Sequence, residues 1–359
     1  MAETWVLGAT GRAGRGVARE LLALGADVVL VSRDGHALDA LADDLAAAGR
    51  VRTLVADDLA AATGLIAEEA PSVVVNTVGP FVRTSSLVAR ACVTAGSHYL
   101  DLANELTAVG DVLALDPLAR TAGVTVVTGA GFGVLATEAL VLDLREGEEA
   151  AERARVVAMP AVEALGTAVL HSLIDALGDG GRRYLGGRLV RTRLGVDVER
   201  VALPDGRTVT AIGVPTGDVE AARRASGAGD VIAYTSEIPG GPVFRTFLPV
   251  LSAALAARPV RVGLHRVVER LRLAPPVRSG TASWAYARLE WPGGARKEAW
   301  LSTGEGYLFT ARVVAHLATC LDAGDGRAGA YTPGALFGVE LARRAGAEII
   351  RTTHIGGIQ

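Results

Sequence analysis

Three glycines spaced by three residues, Gly8, Gly11 and Gly14 in "LGATGRAGRG", sit between an apolar run and an alanine- and leucine-rich segment of helical period. Such a turn suits pyrophosphate: the first glycine turns the chain, the second lets backbone approach phosphate, and the third lets helix and strand pack closely. The N–H groups that open a helix then face the anion. Thr10, Gly11, Arg12, Ala13 and Gly14 are therefore read with Gly8 as cofactor-binding. About 20 residues further on, an NAD site places an acid on the ribose 2′-hydroxyl. Here the run "VSRD" offers Ser32 and Arg33 instead. A hydroxyl beside a guanidinium fork suits a 2′-phosphate, so the cofactor is expected to be NADP(H). Asp34 reads as the cap of the next helix.

Later strand ends supply the rest of the expected cofactor cleft. Asp57 and Asp58 follow the third strand and could border the adenine or cap a helix. Asn76, Val78, Gly79, Pro80 and Phe81 lie in "NTVGPF", after the fourth. Ligands collect at this edge of an open α/β sheet. Tyr99 and Asp101 follow the fifth strand, where the tyrosine could donate a proton and the aspartate orient it; the alternative is a buried tyrosine beside a capping carboxylate. Arg245 could hold a substrate carboxylate or cap a helix.

These residues depend on elements that the sequence marks out clearly. Valine-rich runs begin at Thr4, Val28, Val51, Val73, His98 and Val124, at intervals of 22 to 26 residues. Helical segments fill the gaps. Near-continuous apolar strands alternating with helices predict a parallel sheet covered on both faces, a doubly wound Rossmann domain. After Gly131 the rhythm changes. Strand-like stretches turn at Pro204–Gly206 and Pro292–Gly294, and helical ones begin at Thr167, Thr216 and Val260. The expected fold class is thus α/β: a Rossmann doubly wound sheet at 1–133, an α+β substrate and dimerisation domain at 134–329, and a C-terminal helix returning to the first domain at 330–359.

Composition narrows the function classes. Of 359 residues 50% are hydrophobic, and the formal net charge is -3, which gives no electrostatic footprint for nucleic acid. Two cysteines and six scattered histidines form no metal-ligand spacing, so no metal is expected. No apolar run reaches the roughly 18–20 residues of a bilayer span, and no signal segment is apparent. A cytoplasmic protein with no integral membrane segment is expected. The stretch "VFRTFLPVLSAALAARPV" from Val243 reads as an apolar helix buried under the second domain, with a bilayer-surface role as the alternative.

Several segments together resemble the saccharopine dehydrogenase-like oxidoreductases, including the trans-acting enoyl reductase branch. They are "GATGRAGR" from Gly8, "NTVGPF" from Asn76, "ACVTAGSHYLDLANE" from Ala91, "GAGFG" from Gly129, "GTAVLHS" from Gly166, "GYLFTARVVAHLATCL" from Gly306 and "YTPGALFG" from Tyr331. The resemblance touches most of the chain and is most specific in the first 135 residues. It departs at Asn104, where a small glycine is usual, and at the Phe132–Gly133 step, which replaces a more polar stretch. It implies a Rossmann domain closed by C-terminal helices, NAD(P)(H)-dependent chemistry on a small-molecule substrate, and pairing into a homodimer through the middle domain. It also places His171 and Ser172 toward the cleft, making His171 a third acid candidate and Ser172, with Phe132 and Arg245, substrate-binding. A Tyr-x-x-x-Lys mechanism of the short-chain dehydrogenase kind is excluded, because Lys297 is the only lysine and Gly293 stands four residues before it. The expected activity is hydride transfer to a C=C conjugated to a carbonyl. The alternatives are reduction of C=N, as in an imine reductase or amino-acid-type dehydrogenase, and a non-catalytic NADP(H)-binding regulator.

Overall fold

A computed structural model describes residues 3–45, 50–161, 167–238, 241–270 and 282–352. The expected alternation opens the chain: β1 (Thr4–Leu7), α1 (Arg12–Ala23), β2 (Val28–Ser32), α2 (Gly35–Leu45), β3 (Val51–Val55), α3 (Leu59–Glu69), β4 (Val73–Asn76), α4 (Phe81–Ala95), β5 (His98–Asp101), α5 (Leu106–Leu113), α6 (Asp116–Ala122) and β6 (Thr125–Val127). Five strands start where the valine runs start, and the sixth starts one residue later. All pair in parallel in the order β6-β5-β4-β1-β2-β3, with Thr4–Leu7 set between Val28–Val31 and Val73–Asn76. Helices cover both faces, which is why β1 and β4 are buried along their whole length.

The second stretch comprises α7 (Phe132–Arg145), β7 (Arg153–Met159), α8 (Thr167–Asp179), β8 (Gly181–Leu185), β9 (Arg188–Thr192), β10 (Val198–Ala202), β11 (Thr208–Gly213), α9 (Gly217–Ser226), β12 (Asp230–Thr235), α10 (Pro242–Ala256), α11 (Arg258–Arg270), β13 (Ser283–Glu290) and β14 (Arg296–Thr303). Both turns expected from Pro-Asp-Gly and Pro-Gly-Gly close hairpins, β10–β11 and β13–β14. The chain ends in α12 (Gly306–Asp322), β15 (Gly329–Tyr331), α13 (Pro333–Phe337), α14 (Glu340–Arg344) and β16 (Glu348–Thr352). The second sheet runs β10-β11-β12-β7-β13-β14-β16, with β8 and β9 attached beside β12. Only β12–β7 is parallel, so this sheet is mixed.

The chain divides into two compact units. The first holds residues 1–103, 107–131 and 307–345; the second holds 104–106, 132–306 and 346–359. The return to the first unit therefore begins at Tyr307, not at residue 330. α12 explains this: a Cβ on Gly16 of α1 would lie 3.4 Å from Ala311, and Arg312 pairs with Glu20. β15 adds a seventh parallel strand beside β6. The last residues do not stay with that unit, because β16 pairs antiparallel with β14. The expected single terminal helix is two short ones, separated at Gly338, whose φ of 67° suits glycine.

In the second unit α8, α10 and α11 share an apolar cluster of Ile174, Leu177, Leu248, Leu255 and Val268. The expectation that α10 is buried holds for one face only, since Phe247 and Val250 are 63% and 69% exposed. Among the described residues no single helix is long and apolar enough to cross a membrane. One pair passes the test together, Arg245–Ala256 with Arg258–Val268, but it is bent by 100°.

Candidate functional site

The turn after β1 has the geometry that its three glycines require. Gly8 has φ 75°, and a Cβ there would also lie 2.9 Å from Thr77 Oγ1. At Gly14 a Cβ would lie 2.4 Å from the Gly8 carbonyl oxygen and 2.7 Å from Ala9 Cα, so helix and strand touch backbone to backbone. Gly11 differs: it is exposed, and an added Cβ would meet only the Gly8 carbonyl oxygen. α1 begins immediately after it with no side-chain cap and no acid in its first turn. Its opening N–H groups are those that lack intrahelical acceptors. The result is an open cradle of donors with partial positive charge, which fits a pyrophosphate.

Around this cradle the expected residues divide by what they touch. Thr10 and Ser32 share a hydrogen bond of 2.8 Å, so the hydroxyl meant for a 2′-phosphate also fixes the loop. The Arg15 Nε donates to the Thr10 carbonyl. Arg12 stacks on the Tyr307 ring, 3.8 Å from its centroid. Arg33 is exposed just beyond β2, and Asp34 accepts from the Ala37 N–H, as its reading as a cap requires. Asp58 likewise caps α3 through the Ala61 N–H; Asp57 beside it is exposed. After β4, Gly79 is exposed with open space where a side chain would be, and the Gly79–Pro80 peptide is cis. Phe81 opens α4 and packs on the small cluster around Ala103.

Asn76, Tyr99 and Asp101 lie inside the first unit. All three are fully buried. The Asn76 side-chain oxygen accepts from the Val78 N–H, and its amide donates to the Tyr99 hydroxyl at 3.2 Å. Tyr99 donates in turn to Asp101 at 2.9 Å, and the other Asp101 oxygen accepts from Ala103 N–H, Thr128 hydroxyl and Gly129 N–H. Burial raises the Tyr99 hydroxyl well above its usual range, with the Asp101 charge adding to it. Burial also raises Asp101, while its donors pull it back down. Tyr99 and Asp101 were expected at the cofactor edge as acid and orienter, or else as a buried tyrosine beside a capping carboxylate. Both faces of β5 are covered, Leu100 being as buried as its neighbours, and there Tyr99 and Asp101 tie together the loops that follow β4, β5 and β6.

In the second unit, His171 lies on α8 and shares a 2.6 Å Nδ1–Nδ1 contact with His265 of α11. His265 Nε2 lies 2.9 Å from Asp175 Oδ1, one turn along α8 from His171. An ionised Asp175 makes His265 Nε2 the donor. Asp175 stands four residues from His171 on one helix face, a spacing visible in the sequence, but nothing there points to His265. Phe132 begins α7 and is 7% exposed. Arg245 donates through Nε to the Gly195 carbonyl, which commits part of its fork to the loop after β9. Ser172 belongs to α8, and its side chain lies outside the described residues.

Sequence reasoning also missed a buried carboxyl. Asp218 opens α9 at 2% exposure and accepts from the Thr137 hydroxyl at 2.6 Å. The Asn104 amide nitrogen, in the orientation that satisfies both groups, donates to Asp218 at 3.2 Å and to the Gly133 carbonyl at 3.3 Å. Neutral partners do not offset the loss of solvent, and the Asp218 carboxyl is pushed up to about 6. Glu237 is raised as well, first by burial and then by the Asp218 charge. An acid in a helix's first turn usually faces water, so nothing in "TGDVE" marks this one as buried. Among the described residues no group of acids, histidines and cysteines could hold a metal ion.

Residues 4–127 match the family model described as the saccharopine dehydrogenase NADP binding domain, which makes this segment an NAD(P)-binding domain. No curated protein sequence matches the chain. Among solved structures, the fold is similar to that of apo histidine-tagged saccharopine dehydrogenase (L-Glu forming) from Saccharomyces cerevisiae. The TM-score is 0.61 at 13% identity, over 98% of this chain and 100% of that one. An amine dehydrogenase from Mycobacterium smegmatis matches at 14% identity with a TM-score of 0.47, over 92% and 95% of the two chains. At these identities the likeness is one of fold.

Proposed function

We propose that this chain, whose residues 4–127 carry an NAD(P)-binding domain of saccharopine dehydrogenase type, is an NADP(H)-dependent oxidoreductase acting on a small-molecule substrate. The observation that carries the reading is the cradle at Gly11: an exposed, uncapped helix start held against the sheet by Gly14. NADP(H) bound there would supply or accept a hydride at C4 of its nicotinamide. The α1 N–H groups would take the pyrophosphate, and Ser32 with exposed Arg33 the 2′-phosphate. Gly79 and Pro80 would offer backbone to the nicotinamide ribose. Asn76, Tyr99 and Asp101 would act as positioning residues that hold these loops.

The preferred reaction remains reduction of a C=C conjugated to a carbonyl, with His171 as the proton-handling residue, oriented by His265 and, beyond it, Asp175. The burial of Tyr99 favours a second reading, reduction of C=N. Hydride addition to an iminium carbon yields a neutral amine and needs no acid at the site, whereas an enolate must be stabilised and then protonated. The same reading takes the protein to be a cytoplasmic homodimer, which light scattering after size-exclusion chromatography and localisation of a tagged protein check.

Tryptophan-fluorescence titration with NADPH and NADH, followed by turnover with enals, enones and cyclic imines, tests the proposal. NADPH is expected to bind at least tenfold more tightly than NADH. Arg33→Asp should weaken NADPH by tenfold or more while leaving NADH nearly unchanged. Equal losses would remove Arg33 as the discriminator, and failure to bind either nucleotide would overturn the proposal.

A further inference from the structure

The end of α8 remote from His171 borders a cavity of about 460 Å³ that lies wholly within the second unit. Its walls are Gly178–Arg182, Arg191–Leu194, one side of α10 and Arg261 of α11. Asp179 is the only acid among the lining residues, and Arg261 already pairs with it at 3.1 Å. That leaves Arg182, Arg191 and Arg193. None of the three has a partner among the described residues, and the Arg182 Nε is buried without an acceptor.

Arg191 and Arg193 are exposed and Arg182 is half-buried. In the β8–β9 ladder Arg182 lies directly opposite Arg191, so the two side chains leave the same face of the hairpin. Arg193, just past the end of β9, lines the same cavity. Like charges directly opposite on neighbouring strands repel. The next residue of β8 makes the contrast: Arg183, on the other face, has Asp197 at 3.0 Å. Arg155 and Arg288 of the same sheet have Glu199. Arg183, Arg155 and Arg288 thus meet carboxylates, whereas Arg182, Arg191 and Arg193 have none among the described residues.

We propose that this cavity is a binding site for a phosphate group, separate from the dinucleotide cradle of the first unit. Three guanidinium forks suit a dianion with three terminal oxygens better than a single carboxylate. Pro249, Ala253 and Ala256 of α10 form an apolar wall beside the cationic one, which gives an attached carbon body a surface to lie on. The phosphate could be carried by a soluble ester or by a lipid headgroup, since Phe247 and Val250 of α10 are exposed.

Isothermal titration with inorganic pyrophosphate tests the site, using the whole chain and two variants. Arg182→Met/Arg191→Met removes the cavity's charge. Gly11→Asp places a carboxylate on the dinucleotide cradle, where aspartate is also a good helix cap. Binding that survives in Gly11→Asp and weakens at least tenfold in the arginine variant supports the proposal. Arg193→Met, a change at an exposed residue, should weaken binding severalfold if the double variant fails to fold. Co-sedimentation with phosphatidylcholine vesicles, with and without phosphatidic acid, separates the sources. Arginine-dependent pelleting only with phosphatidic acid assigns the phosphate to a lipid, and pyrophosphate binding without pelleting assigns it to a soluble ester. Unchanged pyrophosphate binding in the arginine variants, its loss in Gly11→Asp alone, or no binding by the wild-type chain overturns the site.

Discussion

The two units bury carboxylates in different ways. In the first, Asp101 is the one buried acid among the described residues, and neutral donors surround it: two N–H groups, a threonine and a tyrosine. The second buries Glu105, Glu138, Asp143, Asp175, Glu199, Asp218 and Glu220. Several of these meet arginine: Asp143 pairs with Arg351, Glu199 with Arg155 and Arg288, and Glu220 with Arg223 and Arg224. A buried charge is costly unless it is paired and hydrogen-bonded. The first unit meets this cost with two backbone N–H groups and two neutral hydroxyls. The second meets it with specific side-chain pairs, so its interior is particular to this sequence. α9 holds both outcomes two residues apart. Arg223 and Arg224 hold Glu220 below the usual carboxylate range despite its burial, whereas Asp218, with neutral partners, is raised.

The most damaging way to break the first unit is to separate its backbones. Gly14→Val puts a side chain on a Cβ only 2.4 Å from the Gly8 carbonyl oxygen, and neither backbone can yield without parting α1 from β1. Nucleotide binding should fall below detection, and denaturant unfolding should show a loss of roughly 3 kcal/mol or more. Asp101→Ala leaves four donors without their acceptor in a dry interior. About 3 kcal/mol of stability should be lost, measured the same way, and nucleotide affinity should fall with it because three loops lose a common anchor.

A smaller effect sharpens the contrast from the other side. The folded-state pKa of Asp218 lies above its ordinary 3.8, at about 6. Between those values the folded chain holds a proton that the unfolded chain has released. Its contribution is therefore most favourable at low pH and is lost as pH rises through about 4 to 6. The loss amounts to roughly 2–3 kcal/mol. Asp218→Asn keeps an acceptor for the Thr137 hydroxyl and removes the titration. Unfolding measured from pH 4 to pH 8 should lose this fall in the variant, and an unaltered profile would count against a raised Asp218. The smallest change is expected at the surface, where Arg19 and Asp44 pair at 2.6 Å but are 58% and 53% exposed. Arg19→Ala should cost under about 1 kcal/mol, because water and salt screen such a pair.

Much of the first unit was legible before the structure. The valine runs fixed five strand starts, and the glycine spacing located the phosphate turn. Both signals are local, since a strand buried on two faces must be apolar throughout and a tight turn must be glycine. Less of the candidate site was legible. "HYLD" gave no sign of which way Tyr99 and Asp101 face, because a short strand in a doubly covered sheet has no polar side to set its alternation. The departure at Asn104 was visible, but not that its amide reaches Asp218, more than a hundred residues away.

By itself, then, the sequence determined the elements whose reasons lie within a few residues: the βα repeat, the phosphate turn, the cap at Asp34, and both hairpins. Tertiary structure alone decided what depends on distant segments meeting. It joined His171 to His265, gathered Arg182, Arg191 and Arg193 around one cavity, and sent α12 back to the first unit while β16 stayed with the second. A local rule acts through neighbouring atoms of one backbone and leaves its mark in spacing. Burial and pairing depend on which surfaces coincide after folding, and one chain read in order carries no mark of that.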